Sequence, residues 1–148
     1  MDKQTKRTIV VGVDGSADSK RAMGWAIEEA RRLDMKMLLI HGVELGAAAS
    51  SPYGSEMVIE QLQEAGRLVL DDALEFAVGE GVEAETRMEF GSSAHALIEA
   101  SREADLLVVG SRGHGGFVGL LLGSVSAACV HHSHCPIVVV PAEERKAA

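Results

Sequence analysis

Leu106-Leu107-Val108-Val109-Gly110-Ser111-Arg112-Gly113, followed by Gly123-Ser124-Val125-Ser126, is the stretch that decides the fold. An apolar β-branched run ends in a glycine-bearing loop, and a helical pattern resumes at Ser124. A strand that passes through such a loop into a helix is a common way to hold phosphate. Backbone N–H groups can crowd an anion only where no Cβ blocks the approach, and the helix N-terminus adds partial positive charge. By itself the loop is equally compatible with a glycine-rich turn that holds nothing.

The rest of the chain repeats the strand–helix alternation. Thr8 to Val13 is a near-continuous apolar run, as expected of a strand covered on both faces. Asp14-Gly15-Ser16 breaks it, with Ser16 or Asp18 as the N-cap of a helix carrying Ala22, Trp25, Ala26, Ala30 and Leu33. A second strand runs from Met35 to about Gly42. Residues 44–55, rich in Gly, Ala, Ser and Pro, read as a mobile loop. Ile59, Leu62, Gly66, Val69, Leu70, Ala73, Phe76 and Ala77 mark a long helix closed near Gly79 or Gly81. In the third strand Val82, Ala84, Thr86, Met88 and Phe90 alternate with Glu83, Glu85, Arg87 and Glu89. One face is therefore wet, which places the strand at the sheet margin. A short helix follows Gly91-Ser92-Ser93, with Ala94, Leu97, Ile98 and Ala100 inward and His95 outward. Leu106–Val109, a helix over Ser124–His131 and Ile137–Val140 complete the pattern. Five strands alternating with four helices predict a single α/β domain: an open parallel five-stranded sheet, Rossmann-like, with helices on both faces. Ligands bind such sheets beyond the carboxyl ends of the strands, where the winding reverses.

Composition limits what the loop can serve. The chain has 148 residues, 47% of them hydrophobic, and a formal net charge of −8. That charge argues against a duplex nucleic-acid partner, which requires a basic face. Five aromatic residues (Trp25, Tyr53, Phe76, Phe90, Phe117) leave little for base stacking. No apolar run reaches the roughly 20 residues needed to span a bilayer, so no membrane association is expected. Cys129 and Cys135 build no disulfide framework, which favours a reducing, cytoplasmic setting. Cys129, His131, His132, His134 and Cys135 invite a metal reading, but their spacing is neither C-x2-C nor H-x3-H, and successive residues point in different directions. Met35, Met37, Met57 and Met88 read as core filler.

The loop is not a Walker loop, since no lysine lies between Lys36 and Lys146. Nor is it the Gly-x-Gly-x-x-Gly of a dinucleotide fold. It supplies amides at Gly110, Gly113, Gly123 and Ser124 and hydroxyls at Ser124 and Ser126. Hydrogen bonds to charged groups contribute about 1.5–3 kcal/mol each, so three or four with some purine burial reach the roughly −8 kcal/mol of micromolar binding.

Gly-x2-Gly-x9-Gly-Ser after a fourth strand resembles the nucleotide-binding motif of the universal stress protein family. Val11-Gly-Val-Asp-Gly-Ser16, His41 at the end of strand two, Phe117 to Leu122 and Cys135-Pro-Ile-Val-Val-Val-Pro141 are similar to that family too. The resemblance spans about Thr8 to Pro141 and implies its ATP-binding branch, a strand order of 3-2-1-4-5, and one domain over residues 1–148. It implies an adenine nucleotide (ATP, AMP or ADP, with or without Mg2+) as ligand. Asp14 would hold ribose hydroxyls or a magnesium shell, and Val13 and Gly42 would flank the purine. Gly110 and Gly113 would pass beneath ribose and phosphates; Gly123, Ser124, Val125 and Ser126 would donate to phosphate. Many members carry valine where this chain has Gly42. Arg112 and His114 either reach a γ-phosphate or are solvated.

With no lysine and no carboxylate pair beside Asp14, hydrolysis is expected to be slow at most. The implied function is a nucleotide-responsive stress and signalling module. The alternative is a nucleotide-free dimeric interaction protein. An adenylate-forming enzyme lacks its Ser-Gly-Gly-x-Asp-Ser or His-Ile-Gly-His signature here. The unbroken apolar run Ile137 to Val140, placed at the sheet edge by the resemblance, predicts a two-fold homodimer across that strand.

Overall fold

Strand β1, Thr8–Gly12, lies at the centre of a five-stranded parallel sheet of order β3-β2-β1-β4-β5. In the computed structural model, which describes residues 5–46, 55–112 and 122–142, the remaining strands are β2 (Lys36–Val43), β3 (Ala84–Phe90), β4 (Leu106–Gly110) and β5 (Ile137–Val140). Helices α1 (Ala17–Leu33), α2 (Ser55–Gly79), α3 (Ser93–Ala100) and α4 (Ser124–His132) connect them in alternation.

The period-2 geometry of the strands divides the core into two layers. Ile9, Val11, Met37, Leu39 and Val108 face α1 and α2, where they meet Ala22, Met23, Ala26, Ile27, Ala30, Leu70 and Ala77. Val10, Ile40, Leu107 and Val109 face the other way, onto Leu97 of α3 and Cys129 of α4. Both faces of β1 and β4 are thus dry, which is why their sequences lack polar alternation.

Helix α1 begins at Ser16, whose side chain accepts from the Ser19 amide, and ends at Asp34 in a left-handed conformation with φ 51°. Buried Gly66 and the inward residues Val69, Leu70, Ala73, Leu74 and Ala77 seat α2 on the sheet. Phe76 departs from the expected inward face: it lies off this seam and is half exposed, and Met57, in the first turn, is exposed as well. The expected loop over 44–55 falls largely outside the described residues. Strand β3 is an edge strand, as its wet alternation requires, but Thr86 and Phe90 are exposed too, because α2 covers only part of its dry face.

Candidate functional site

Strands β1 and β4 are neighbours, and the chain leaves them in opposite directions across the sheet, through α1 toward β2 and through α4 toward β5. Their carboxyl ends therefore mark the point where the winding reverses, the place at which open α/β sheets hold ligands. Asp14-Gly15-Ser16 and Ser111-Arg112 both emerge there.

The first loop is held by its own polar groups. The Ser16 amide donates to Asp14 Oδ1 at 2.9 Å, the Asp14 amide to Ser19 Oγ at 3.1 Å, and the Ser19 amide to Ser16 Oγ at 3.1 Å. This is an Asx turn feeding an N-cap, the local geometry that short polar side chains favour over continued strand. Gly15 has φ +81°, where a side chain would be strained, and a Cβ there would also press on Val69 Cγ2 at 3.2 Å.

The second loop is organised around one carbonyl. Ser111 O accepts from the Gly123 amide at 2.6 Å and from the Ser126 hydroxyl at 2.7 Å. Ser111 itself is buried, its amide donates to Val140 O, and its hydroxyl accepts from the Ala142 amide. Among the described residues no side chain caps α4, and its N-cap is Gly123 in an extended conformation. The amides of Ser124, Val125 and Ser126 belong to the first turn, where no intrahelical acceptor exists. The Gly123 amide and the Ser126 hydroxyl are thus spent on shaping the loop, and among the described residues the three amides after Gly123 have no acceptor in their own helix. Ser111, which organises all of this, carried no signal in the sequence beyond its place between two glycines.

Gly110 serves helix packing: a Cβ there would lie 2.9 Å from Asp18 O and 3.1 Å from Asp18 Cβ, so the first turn of α1 rests on the end of β4. Arg112 Nε lies 4.0 Å from Asp18 Oδ2, both side chains largely buried. Gly113 and His114 lie outside the described residues.

Val13 and Gly42 do not face one another. Val13 is buried among the α1–α2 core, whereas the missing side chain of Gly42 points toward α3. A Cβ at Gly42 would lie 2.7 Å from Ser93 Cα and closer still to Ser93 Oγ. The space a valine would occupy is filled by the start of α3, whose Ser93 amide donates to Glu44 Oε1 at 3.1 Å. The lack of a side chain at Gly42 is what permits that approach of α3 to β2.

Two clefts bear on these loops differently. One of about 450 Å³, between α1 and α2, is lined by Val13, Gly15, Met23 and Val69. Another of about 570 Å³, between β3 and α3, carries interleaved charges from Glu85, Arg87, Glu99 and Arg102 and does not reach Asp14 or α4. The cysteine–histidine segment gathers no group of three potential metal ligands among the described residues. Cys129 lies fully buried against α3, and burial pushes its thiol up to about 11. A thiol held protonated in this way is a poor metal ligand at neutral pH.

Residues 6–141 match the model of the Universal stress protein family. The chain belongs to that family. A universal stress protein of Mycolicibacterium smegmatis is 37% identical over 150 residues, covering 97% of this chain and 51% of that protein. The chain spans about half the length of the first curated relatives it matches. Among solved structures, a universal stress protein in complex with cAMP is 30% identical, with a TM-score of 0.68 over 93% of this chain and 98% of that one. A universal stress protein family member from Arabidopsis thaliana with AMP bound is 26% identical, with a TM-score of 0.70 over 93% of this chain and 92% of that one.

Proposed function

We propose that this universal stress protein binds an adenine nucleotide across the carboxyl ends of β1 and β4, and that nucleotide occupancy biases its partners in a stress response. The observation that carries this reading is the start of α4. Ser111 holds its first turn against the end of β4, and the loop that carries Asp14 leaves the neighbouring strand β1 at the same edge of the sheet. A partial positive charge and the first-turn N–H donors then share that edge with a carboxylate suited to ribose hydroxyls or to a magnesium shell. Relatives of this fold that hold cAMP and AMP support the same class of ligand. The ligand proposed is ATP, with ADP and AMP as shorter alternatives. With no lysine in the loop, turnover is slow at most.

Mass spectrometry of ligand released from freshly purified protein, with calorimetric titration of ATP, ADP and AMP with and without Mg2+, tests the reading. An adenine nucleotide in the released fraction and micromolar binding are expected. Asp14→Ala weakens binding by at least about tenfold, the loss of one hydrogen bond to a charged group, with the circular dichroism unchanged. Protein that carries no nucleotide and gives no heat with any of the three overturns it.

We also infer a two-fold dimer across β5. That edge strand carries no charge, and Ile137, Val138 and Val139 are only partly buried against their own chain.

A further inference from the structure

Arg112 bridges the two loops at the carboxyl edge of the sheet. Its Nε lies 4.0 Å from Asp18 Oδ2, and the two side chains are only 25% and 16% exposed. Asp18 belongs to the first turn of α1, while Arg112 is the second residue after β4. The bare Cα of Gly110 brings them together, since a Cβ there would meet Asp18 O at 2.9 Å.

The same arginine starts beside the first turn of α4. Ser111 O accepts from the Gly123 amide at 2.6 Å, and the Cα of Arg112 is joined to that carbonyl through one peptide bond. Covalent geometry therefore holds this Cα within about 6 Å of the Gly123 nitrogen. An arginine side chain spans that distance, so an anion held by the amides of Ser124, Val125 and Ser126 lies within reach of the guanidinium. The separation of 4.0 Å from Asp18 is too long for a hydrogen bond. A loose pair of this kind loses little when the guanidinium leaves, and the positive end of α1 still stabilises the Asp18 carboxylate. A phosphate offers the guanidinium the paired acceptors that this contact lacks.

We infer that Arg112 is shared between Asp18 and the phosphates of the ligand, and that the pair sets the preference for ATP over AMP. Asp18 holds the guanidinium when the site is empty, and phosphate charge draws it away. The inference rests on the nucleotide reading above and concerns which phosphate chain that site selects. Its sign follows from charge. The guanidinium gains more from a triphosphate than from a monophosphate, because charge and acceptor number both rise. Asp18 opposes binding by competing for it.

Calorimetric titration of ATP and AMP against the full chain, at fixed Mg2+, tests this. The wild-type protein prefers ATP, and Arg112→Gln lowers the ratio of the two affinities by at least about tenfold, the worth of one hydrogen bond to a charged group. Asp18→Asn raises the ratio about two- to fivefold, the worth of the ion pair it removes. Added to Arg112→Gln, Asp18→Asn gives no further gain, because no guanidinium remains to be released; a carboxylate acting by repulsion alone would keep its effect. Thermal unfolding of each variant is followed in parallel; if Arg112→Gln does not fold, Asp18→Asn carries the test. A wild type without preference for ATP, a ratio that either single variant leaves unchanged, or a gain that persists in the double variant overturns the inference while the nucleotide reading stands. A wild type that binds neither nucleotide overturns both.

Discussion

The hydroxyl of Ser126 donates to the carbonyl of Ser111 at 2.7 Å, tying the first turn of α4 to the residue that follows β4. Ser126 is buried, and its hydroxyl also lies 3.1 Å from the Gly123 carbonyl, so water cannot readily replace the bond. Ser126→Ala removes it but leaves the Gly123 amide on Ser111. The expected cost is about 1 kcal/mol, seen as a fall in Tm of roughly 2–4 °C for a chain of this size. Differential scanning calorimetry checks the value; an unchanged Tm would show that the Gly123 amide alone holds the loop.

The contact between Gly42 and Ser93 makes a second prediction. Any Cβ at position 42 meets the backbone of α3, which cannot swing aside as a flexible side chain can. Gly42→Val therefore destabilises by about 1–3 kcal/mol through overpacking. Adding Ser93→Gly to Gly42→Val recovers part of the loss, because it removes the nearer of the clashing atoms. Denaturant titration of the single and double variants measures this coupling, and additive effects would refute it.

Much of the fold was legible because these strands are short and their patterns unambiguous. Ile9, Val10 and Val11 have no polar alternation because both faces of β1 are covered, and Glu85, Arg87 and Glu89 alternate because β3 is an edge. Phe76 misled because helical spacing marks a face several residues wide, while the contact seam through Gly66, Leu70 and Ala77 is narrower. The site was legible as a set of loops but not as a division of labour. Glycine can signal either ligand approach or chain approach, and only coordinates separate them. Gly110 and Gly42 make room for Asp18 and Ser93, choices that depend on residues 92 and 51 positions away in sequence. Ser111 and Ser19 gave no signal because a serine that organises backbone looks like any other serine.

Burial of Cys129 gives a pH dependence. Its thiol is raised from about 9 to about 11 in the folded chain, because the thiolate cannot be solvated between α3 and the sheet. The folded state then retains a proton that the unfolded chain releases near pH 9. Above that pH the unfolded state binds fewer protons, so stability falls as pH rises from about 9 to about 11. Cys129→Ala shows a shallower decline of Tm across the same window, although it starts lower because of the cavity it leaves. Parallel slopes for the two proteins would show that other groups dominate the alkaline limb.

The edge of β5 bears on assembly. Leu107 donates to Pro136 O and Ser111 donates to Val140 O, so the even-numbered residues of this parallel ladder face β4. The alternation of a parallel strand turns the backbone groups of Ile137 and Val139 outward, to the open side of the sheet. If two copies pair there, Val139→Pro removes an outward amide donor without touching a bond to β4. The expected result is a rise in the dimer dissociation constant of about tenfold or more, with the far-ultraviolet circular dichroism unchanged. Light scattering over a concentration series reads it directly. A wild-type chain that is monomeric at tens of micromolar, or a Val139→Pro variant that dimerises as well as its parent, would place the contact elsewhere.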